Sequence, residues 1–234
     1  MQLFYKPDLD NSYMQLFLSE EESKHVVRVL RKKAGDLLEI TNGKGRRFTA
    51  EILEVHPKKC LLEVRESYLK PEPHYALHMA VAPTKSNDRF EWFLEKATEI
   101  GLSSITPILC ERSERKIIKA ERLEKIIVSA MKQSLRDYKP QLNPLTPLQD
   151  FLNQEHPGAT FIAHCEEGEK LEFKRAVQPD RPITLLIGPE GDFSPQEIEW
   201  ATEKGFSAVS FGDTRLRTET AALVGCTIVA MRNS

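Results

Sequence analysis

Hydrophobic and polar positions change rhythm near residue 70. Before it, short apolar runs recur at close intervals: MQLFLS (14–19), DLLEIT (36–41), FTAEILEV (48–55) and CLLEVRES (60–67). Runs of this length, rich in large or β-branched residues, predict strands. Between the second and third, Asn42-Gly43-Lys44-Gly45 predicts a tight hairpin, because Asn-Gly reaches positive φ at little cost. One helix interrupts: Ser19-Glu20-Glu21-Glu22 has the spacing of a capping box, and Val26, Val27 and Leu30 form its apolar stripe. Residues 1–70 therefore predict a small β-barrel-like domain carrying one helix.

Lys70-Pro71-Glu72-Pro73 is stiff, polar and extended, a natural boundary. Beyond it, strand and helix patterns alternate. ALHMAVA (76–82) predicts a strand, and 88–100 a helix with Phe90, Phe93, Leu94, Ala97 and Ile100 on one face, stopped by Gly101. A strand at 104–109 precedes a long helix at 120–135 with Leu123, Ile126, Ile127, Ala130 and Met131 inward. Strands follow at 159–165 and 183–187. Ser194-Pro195-Gln196-Glu197 then opens a helix that ends at Gly205, with a strand at 207–211 and a final helix at 218–231. Such alternation predicts that 74–234 is an α/β domain, a parallel sheet covered by helices.

Composition narrows the class. With 40% hydrophobic and 29% charged residues among 234, the chain reads as folded and globular. No apolar stretch approaches the ~20 residues that cross a bilayer, and the opening MQLFYKPDLD does not read as a signal peptide. Cys60, Cys110, Cys165 and Cys226 are widely spaced, which predicts free thiols in a reducing cytoplasm. The net charge of −2 carries no nucleic-acid signal. Its distribution does: residues 1–70 hold 13 Lys/Arg against 11 Asp/Glu, clustered as Lys24, His25, Arg28, Arg31, Lys32 and Lys33, then Lys44, Arg46 and Arg47. This is either a phosphate-binding face or a solvated helix end with a lysine-rich turn, and charge alone does not choose.

The candidate chemistry lies between Leu185 and Ala222. Two polar, glycine-bearing loops, Gly188-Pro189-Glu190-Gly191 and Gly212 to Thr220, each follow an apolar run. Strands that stop at small residues and open into helices are where α/β proteins place ligands. Neither loop is G-x-G-x-x-G or contains G-K-[ST], so the dinucleotide fingerprint and the P-loop are unsupported. GKGRR (43–47) only superficially resembles a phosphate loop, since no helix start follows it. Asp213, after the next strand, sits where an acidic residue often binds ribose hydroxyls, which leaves a nicotinamide-dependent oxidoreductase open. His74 and His78 have metal-ligand spacing only on a helix, and their segment reads as a strand, so no metal is expected. His164 ends a strand beside Cys165, Glu166 and Glu167, either lining a site or hydrogen-bonded locally. No Ser-His-Asp order or nucleophile elbow appears. In the densest polar cluster, Arg215 to Ala221, Thr218 suits a helix cap, and Glu219 and Thr220 suit its first turn. Arg217 is a cation that a helix N-terminus would not select, so it points to an anionic or carbonyl-bearing ligand.

These two loops closely resemble those of the RsmE family of SPOUT methyltransferases, which methylate N3 of a uridine in 16S ribosomal RNA of the small ribosomal subunit. Asp88-Arg89-Phe90-Glu91-Trp92 through Glu95 to Gly101 resembles the family's D-R-x-E-W…K-A-T-E-L-G helix. Glu111-Arg112-Ser113 resembles its S-E-R-[CS] turn, Gln133-Ser134 with Arg136 its E-Q-S-x-R, and His25 to Arg31 with Gly35-Asp36 its H-x-x-x-V-L-R…G-D. The likeness spans nearly the whole chain. It implies an N-terminal PUA-like, RNA-binding β-barrel, a C-terminal SPOUT domain with a parallel sheet and a deep trefoil knot, S-adenosylmethionine as cofactor, and a homodimer packed through Ala221, Ala222, Gly225, Ile228 and Val229 of the last helix. Carried over residue by residue, the cofactor site comprises Ala163, His164, Leu186, Gly188, Pro189, Gly191, Phe211, Gly212, Leu216, Arg217 and Thr218. Three departures stand out. Gly191-Asp192 replaces the usual Gly-Gly after Glu190, Lys132 and Leu135 replace a Glu and a Gly, and Leu3-Phe4-Tyr5 lacks an arginine common in the first strand.

Chemistry then assigns roles. A sulfonium methyl is already activated, so the protein's tasks are alignment and handling of the N3 proton. Arg217 is expected to stabilise charge developing on the uracil, with Glu219 or Glu190 orienting it or accepting the proton. Arg28, Arg31, Arg112 and Arg136 are the candidates for RNA phosphate contacts. The alternatives are a non-catalytic RNA-binding protein with a degenerate knot and, less favoured, the nicotinamide-dependent oxidoreductase.

Overall fold

In the computed structural model, which describes Gln2–Ser234, the chain divides into two units. One runs to Glu72 and takes in Met131–Lys139; the other is Pro73–Ala130 with Pro140–Ser234. The first holds β1 (Leu3–Tyr5), β2 (Gln15–Phe17), α1 (Glu20–Lys24), β3 (Leu37–Thr41), β4 (Arg46–Glu54) and β5 (Leu61–Leu69). Its sheet runs as a row, β1-β3-β4-β5-β2, antiparallel except for β1 with β3. Alternate residues of β3 and β4, including Ile40, Phe48, Ala50 and Ile52, turn inward onto Phe4, Val26 and Leu62. Register shifts at Thr49/Ala50 and Ile52/Glu54 bend the long β4–β5 pair, as a barrel-like curl requires. In the predicted hairpin, the Asn42 carboxamide oxygen accepts from the N–H groups of Lys44 and Arg46.

The predicted first helix is shorter than its stripe. Ser19 caps α1, its hydroxyl accepting from the Glu22 N–H at 3.2 Å. The reciprocal half of the capping box is replaced: the Glu22 carboxylate pairs with Lys132 Nζ at 3.0 Å. After Lys24 the chain widens into a π-helical turn, His25–Val29, in which the Leu30 N–H reaches back five residues to the His25 carbonyl. This turn buries Val26 and exposes Val29.

Segment Met131–Lys139 was expected in the second domain and belongs to the first unit. A buried ion pair explains the difference. Arg47 Nε donates to Asp137 at 2.7 Å with side chains only 6% and 5% exposed, and Arg47 Nη2 donates to the Leu135 carbonyl. Backbone bonds from Gly45 N–H to Asp137 O and from Lys139 N–H to Gly43 O complete the seam. Leu135 has φ 58°, in the left-handed region that favours glycine.

The second unit contains β6 (Leu77–Val81), α2 (Asn87–Ile100), β7 (Ser104–Leu109), α3 (Ala120–Gln133, whose last turn joins the first unit), β8 (Gln141–Leu142), β9 (Thr146–Pro147), α4 (Leu148–Leu152), β10 (Ala159–Ala163), β11 (Leu171–Glu172), α5 (Phe173–Ala176), β12 (Ile183–Ile187), α6 (Pro195–Glu203), β13 (Ser207–Ser210) and α7 (Thr218–Arg232). The strand order is β11-β13-β10-β12-β6-β7-β8, with β9 beside β7, and every pairing is parallel. Every residue of β12 is buried. Ile183, Leu185 and Ile187 face a layer containing Phe93, Ala97, Ala222 and Val229, whereas Leu186 faces Ile162, Phe151 and Phe193. After β13, outside β10, the chain returns and α7 packs on α2, β6 and β12. A trefoil crossing requires such a return. Close approach is possible because a Cβ on Gly225 would overlap Leu185 Cδ2. Ala222, Gly225 and Val229, expected to face a second copy, are instead buried in this core. No helix among the described residues is long and apolar enough to cross a membrane.

On the layer opposite α7, His78 of β6 lies edge-on to Phe151 and within 2.7 Å of Thr106 Oγ1. Burial, aided by nearby His156, pushes its pKa down to about 4. The neutral ring is the folded form, and the unfolded chain takes up the proton at higher pH. Unfolding free energy should therefore fall by up to about 3 kcal/mol as pH drops from about 6.5 to 4. Denaturant titrations across that range on wild type and His78→Gln test this: the variant should show a flatter slope, and identical slopes would refute the assignment.

Candidate active site

Because β10, β12 and β13 are parallel neighbours, their C-terminal ends open on one edge of the sheet. Three loops meet there. The first follows β12: Gly188 and Pro189 stay buried, and a turn closes when the Asp192 N–H donates to the Pro189 carbonyl at 2.9 Å. The turn leads to Ser194, which caps α6 in a complete capping box with Glu197. The buried Glu197 carboxylate accepts from the N–H groups of Ser194 at 2.9 Å and Glu111 at 2.8 Å. One side chain thus fixes both the helix start and the 111–113 turn. Pro195 lacks an N–H and this carboxylate already occupies the helix start, so α6 offers no grip for a pyrophosphate. That weighs against the nicotinamide alternative.

The second loop follows β13 through Gly212 (φ 127°) and an exposed stretch to Arg217, which is the residue flanking α7. Thr218, expected to be the cap, is the first helical residue. Its hydroxyl donates to the Gly188 carbonyl at 3.1 Å and so ties the two loops together. The third loop follows β10. The Cys165 N–H donates to Asp192 Oδ2 at 2.7 Å, and Lys170 Nζ donates to the carbonyls of His164 and Glu166.

A cavity of about 670 Å³ lies among these loops, a size suited to one small ligand. Its apolar wall is Ile187, Val209, Phe211, Leu216 and Ala221. Ala163, His164, Gly188, Pro189, Glu190, Gly212, Arg217 and Thr218 line it as well. Two of the expected cofactor residues do not. Leu186 points to the opposite layer, since strand neighbours alternate sides, and Ile187 takes its place. Gly191 lies against Arg112, and Asp192 reaches the cavity instead. Glu219 is also off the wall; it is 8% exposed, with Oε1 3.8 Å from Arg89 Nε. Asp192, Cys165, Lys170 and Arg215 are lining residues that sequence reasoning missed as site residues. The departure from Gly-Gly at Asp192 was the available signal.

Unsatisfied polar atoms concentrate here. Both ring nitrogens of His164, Glu190 Oε2 and Glu219 Oε2 are buried without a hydrogen-bond partner among the described residues. His164 is therefore not the locally hydrogen-bonded strand-end histidine. Burial first, then Lys170, lowers its pKa, so the ring is neutral. Glu190 Oε1 accepts from the Lys85 N–H at 2.9 Å, which leaves Oε2 for a ligand. Buried polar atoms are nearly always paired in a folded protein. Orphans lining a cavity fit a polar ligand with both donors and acceptors.

Of the four arginines proposed for RNA, Arg112 is engaged with its own protein, Nη1 donating to the carbonyls of Gly191 and Phe193. Arg28 and Arg31 are exposed in the first unit, which also contains Arg136.

Comparison with known proteins agrees with this layout. Residues 70–230 match a family model described as an RNA methyltransferase domain, and residues 18–65 one described as an RNA methyltransferase PUA domain. Ribosomal RNA small subunit methyltransferase E of Buchnera aphidicola is 30% identical over 233 residues, spanning 96% of this chain and 90% of that protein. The crystal structure of a probable rRNA-methyltransferase from Porphyromonas gingivalis is 40% identical, with a TM-score of 0.92 over 100% of this chain and 98% of that one. A putative methyltransferase from Legionella pneumophila, solved in complex with bound cofactor SAM, is 30% identical, with a TM-score of 0.86 over 99% and 97% of the two chains.

Removing the Glu197 carboxylate leaves the Ser194 and Glu111 amides without their acceptor. Glu197→Ala should destabilise the protein by roughly 2–4 kcal/mol, measured by urea unfolding. A change below about 0.5 kcal/mol, the ordinary range for surface substitutions, would show that the carboxylate does not hold the site together.

Proposed function

Because this chain belongs to the RsmE family of SPOUT RNA methyltransferases, we propose that it transfers the methyl group of S-adenosylmethionine to N3 of a uridine in 16S ribosomal RNA of the small subunit. The observation that carries this reading is the cavity at the ends of β10, β12 and β13, lined both by unpartnered polar atoms of His164 and Glu190 and by apolar side chains. The main chain around Gly188 and Gly212 to Leu216, the His164 ring and the apolar wall would hold the cofactor. When bound, it supplies a methyl already activated by a sulfonium, so no protein nucleophile is needed.

What remains is charge and proton handling. Uridine N3 gives up a weakly acidic proton, and the resulting anion spreads over O2 and O4. Arg217 is exposed at the cavity wall, and its guanidinium makes no hydrogen bond or ion pair among the described residues. It is placed to stabilise that anion, a kind of electrostatic contribution that is commonly large. Of the carboxylates on the wall, Glu190 is the one with a buried, unpartnered oxygen, so in this reading it accepts the N3 proton or orients the base through Oε2. Glu219 faces Arg89 and holds the start of α7, and with it Arg217, in place.

In the first unit, Arg28, Arg31 and Arg136 contact RNA phosphates, while Arg112 serves the loop. A homodimer would use the part of α7 left uncovered, where Val224 and Thr227 are half-buried and Met231 is exposed.

Arg217→Ala should reduce turnover by about 100-fold or more, read as tritiated methyl incorporated into small-subunit RNA, while the affinity for S-adenosylmethionine changes little by calorimetry. Equal losses in both would place Arg217 in cofactor binding only. Mass spectrometry of 16S RNA from cells lacking the gene should show 3-methyluridine gone; an unchanged peak would refute the activity and favour a non-catalytic RNA-binding role. Neutralising Arg28 and Arg31 together should lower the slope of log affinity against log salt by roughly one per lost contact. An unchanged slope would remove them from the interface.

A further inference from the structure

Asp192 occupies a backbone position that favours glycine. Its φ is 63°, in the left-handed region that most side chains avoid and aspartate tolerates. It stands where the family usually has a second glycine. Its carboxylate is engaged on both oxygens: Oδ1 accepts from the Phe193 N–H at 2.8 Å and Oδ2 from the Cys165 N–H at 2.7 Å. The second bond joins the loop after β12 to the corner after β10, two walls of the same cavity.

Charge adds a second effect. Apart from Asp192, the charged residues on the cavity wall are Lys170, Arg215 and Arg217 against Glu190 and Asp213. A glycine at 192 would leave that wall net positive; the aspartate brings it to balance. A sulfonium methyl donor carries one more positive charge than the thioether it becomes, so a net positive wall disfavours the donor relative to the spent product. We propose that Asp192 is a specificity-determining and positioning residue. It clamps the two walls through the Cys165 N–H and biases the cavity toward the sulfonium form, so that the thioether product leaves readily. This inference rests on the reading that the cavity holds S-adenosylmethionine.

The test compares full-length wild type, Asp192→Asn and Asp192→Gly, both replacements being compatible with positive φ. Calorimetry without RNA measures the affinities for S-adenosylmethionine and S-adenosylhomocysteine. Both variants should lower the ratio of thioether Kd to sulfonium Kd by about fivefold or more, and added salt should shrink the wild-type ratio. Asp192→Gly, which has no side-chain acceptor, should speed amide exchange at both Cys165 and Phe193, whereas Asp192→Asn, with one acceptor oxygen, can keep only one of those two bonds. Wild type that binds both ligands while Asp192→Asn leaves the ratio unchanged would overturn the inference and leave the cofactor reading intact. Wild type that binds neither would overturn the cofactor reading, and this inference with it.

Discussion

With β10 and β6 hydrogen-bonded along its two edges and apolar layers pressed on both faces, β12 can release the chain to solvent only beyond Ile187. A strand so enclosed stays rigid, and the loop that leaves it starts from a fixed point. The return of α7 onto the same strand brings a second loop to that point. Gly225 permits the contact with Leu185, and Thr218 converts proximity into a bond at the Gly188 carbonyl. The cavity is therefore a consequence of how the centre of the sheet is buried on both sides.

The loops around it are fastened mainly to one another. Glu197 ties the loop after β12 to the 111–113 turn, Arg112 holds the backbone at Gly191 and Phe193, and the Lys85 amide fixes Glu190. What these bonds leave over on the cavity wall is a small set of polar atoms, both His164 ring nitrogens and Glu190 Oε2. Each buried orphan costs roughly 1–3 kcal/mol. The fold carries that cost where it leaves hydrogen-bonding capacity for a ligand, and nearby carboxylates and amides keep those atoms from relaxing. Preorganisation of this kind reduces the reorganisation left to occur during the reaction.

Much of this was legible in the chain. The 88–100 helix, the apolar run at 183–187 and the Ser194 cap carry strong local signals, and they form where the periodicity places them. The misreadings have physical causes. Four of the five residues of β12 are apolar and the fifth, Thr184, is buried with them, so nothing local tells which parity faces a cavity, and Leu186 was expected where Ile187 lines the wall. Thr218 has the chemistry of a cap, yet a distant carbonyl claims its hydroxyl. The π-helical turn at His25–Val29 breaks the 3.6-residue period on which the longer helix was predicted. β8, β9 and β11 are two residues each, too short for any pattern. The placement of residues 131–139 depends on an ion pair spanning 90 positions, beyond the reach of any local pattern.

That same ion pair bears on how the protein can be taken apart. The linker at Lys70-Pro71-Glu72-Pro73 invites a single cut, but a fragment ending there would lack Asp137 and keep Arg47. It would hold an interior guanidinium without its counter-charge, and Gly45 and Gly43 would lose the backbone partners that close the hairpin loop. A buried charge deprived of its partner is strongly destabilising. The N-terminal unit is contiguous in space and discontinuous in sequence. A faithful excision would graft residues 131–139 back onto it, and gene fusions or domain exchanges among relatives would have to move both pieces together.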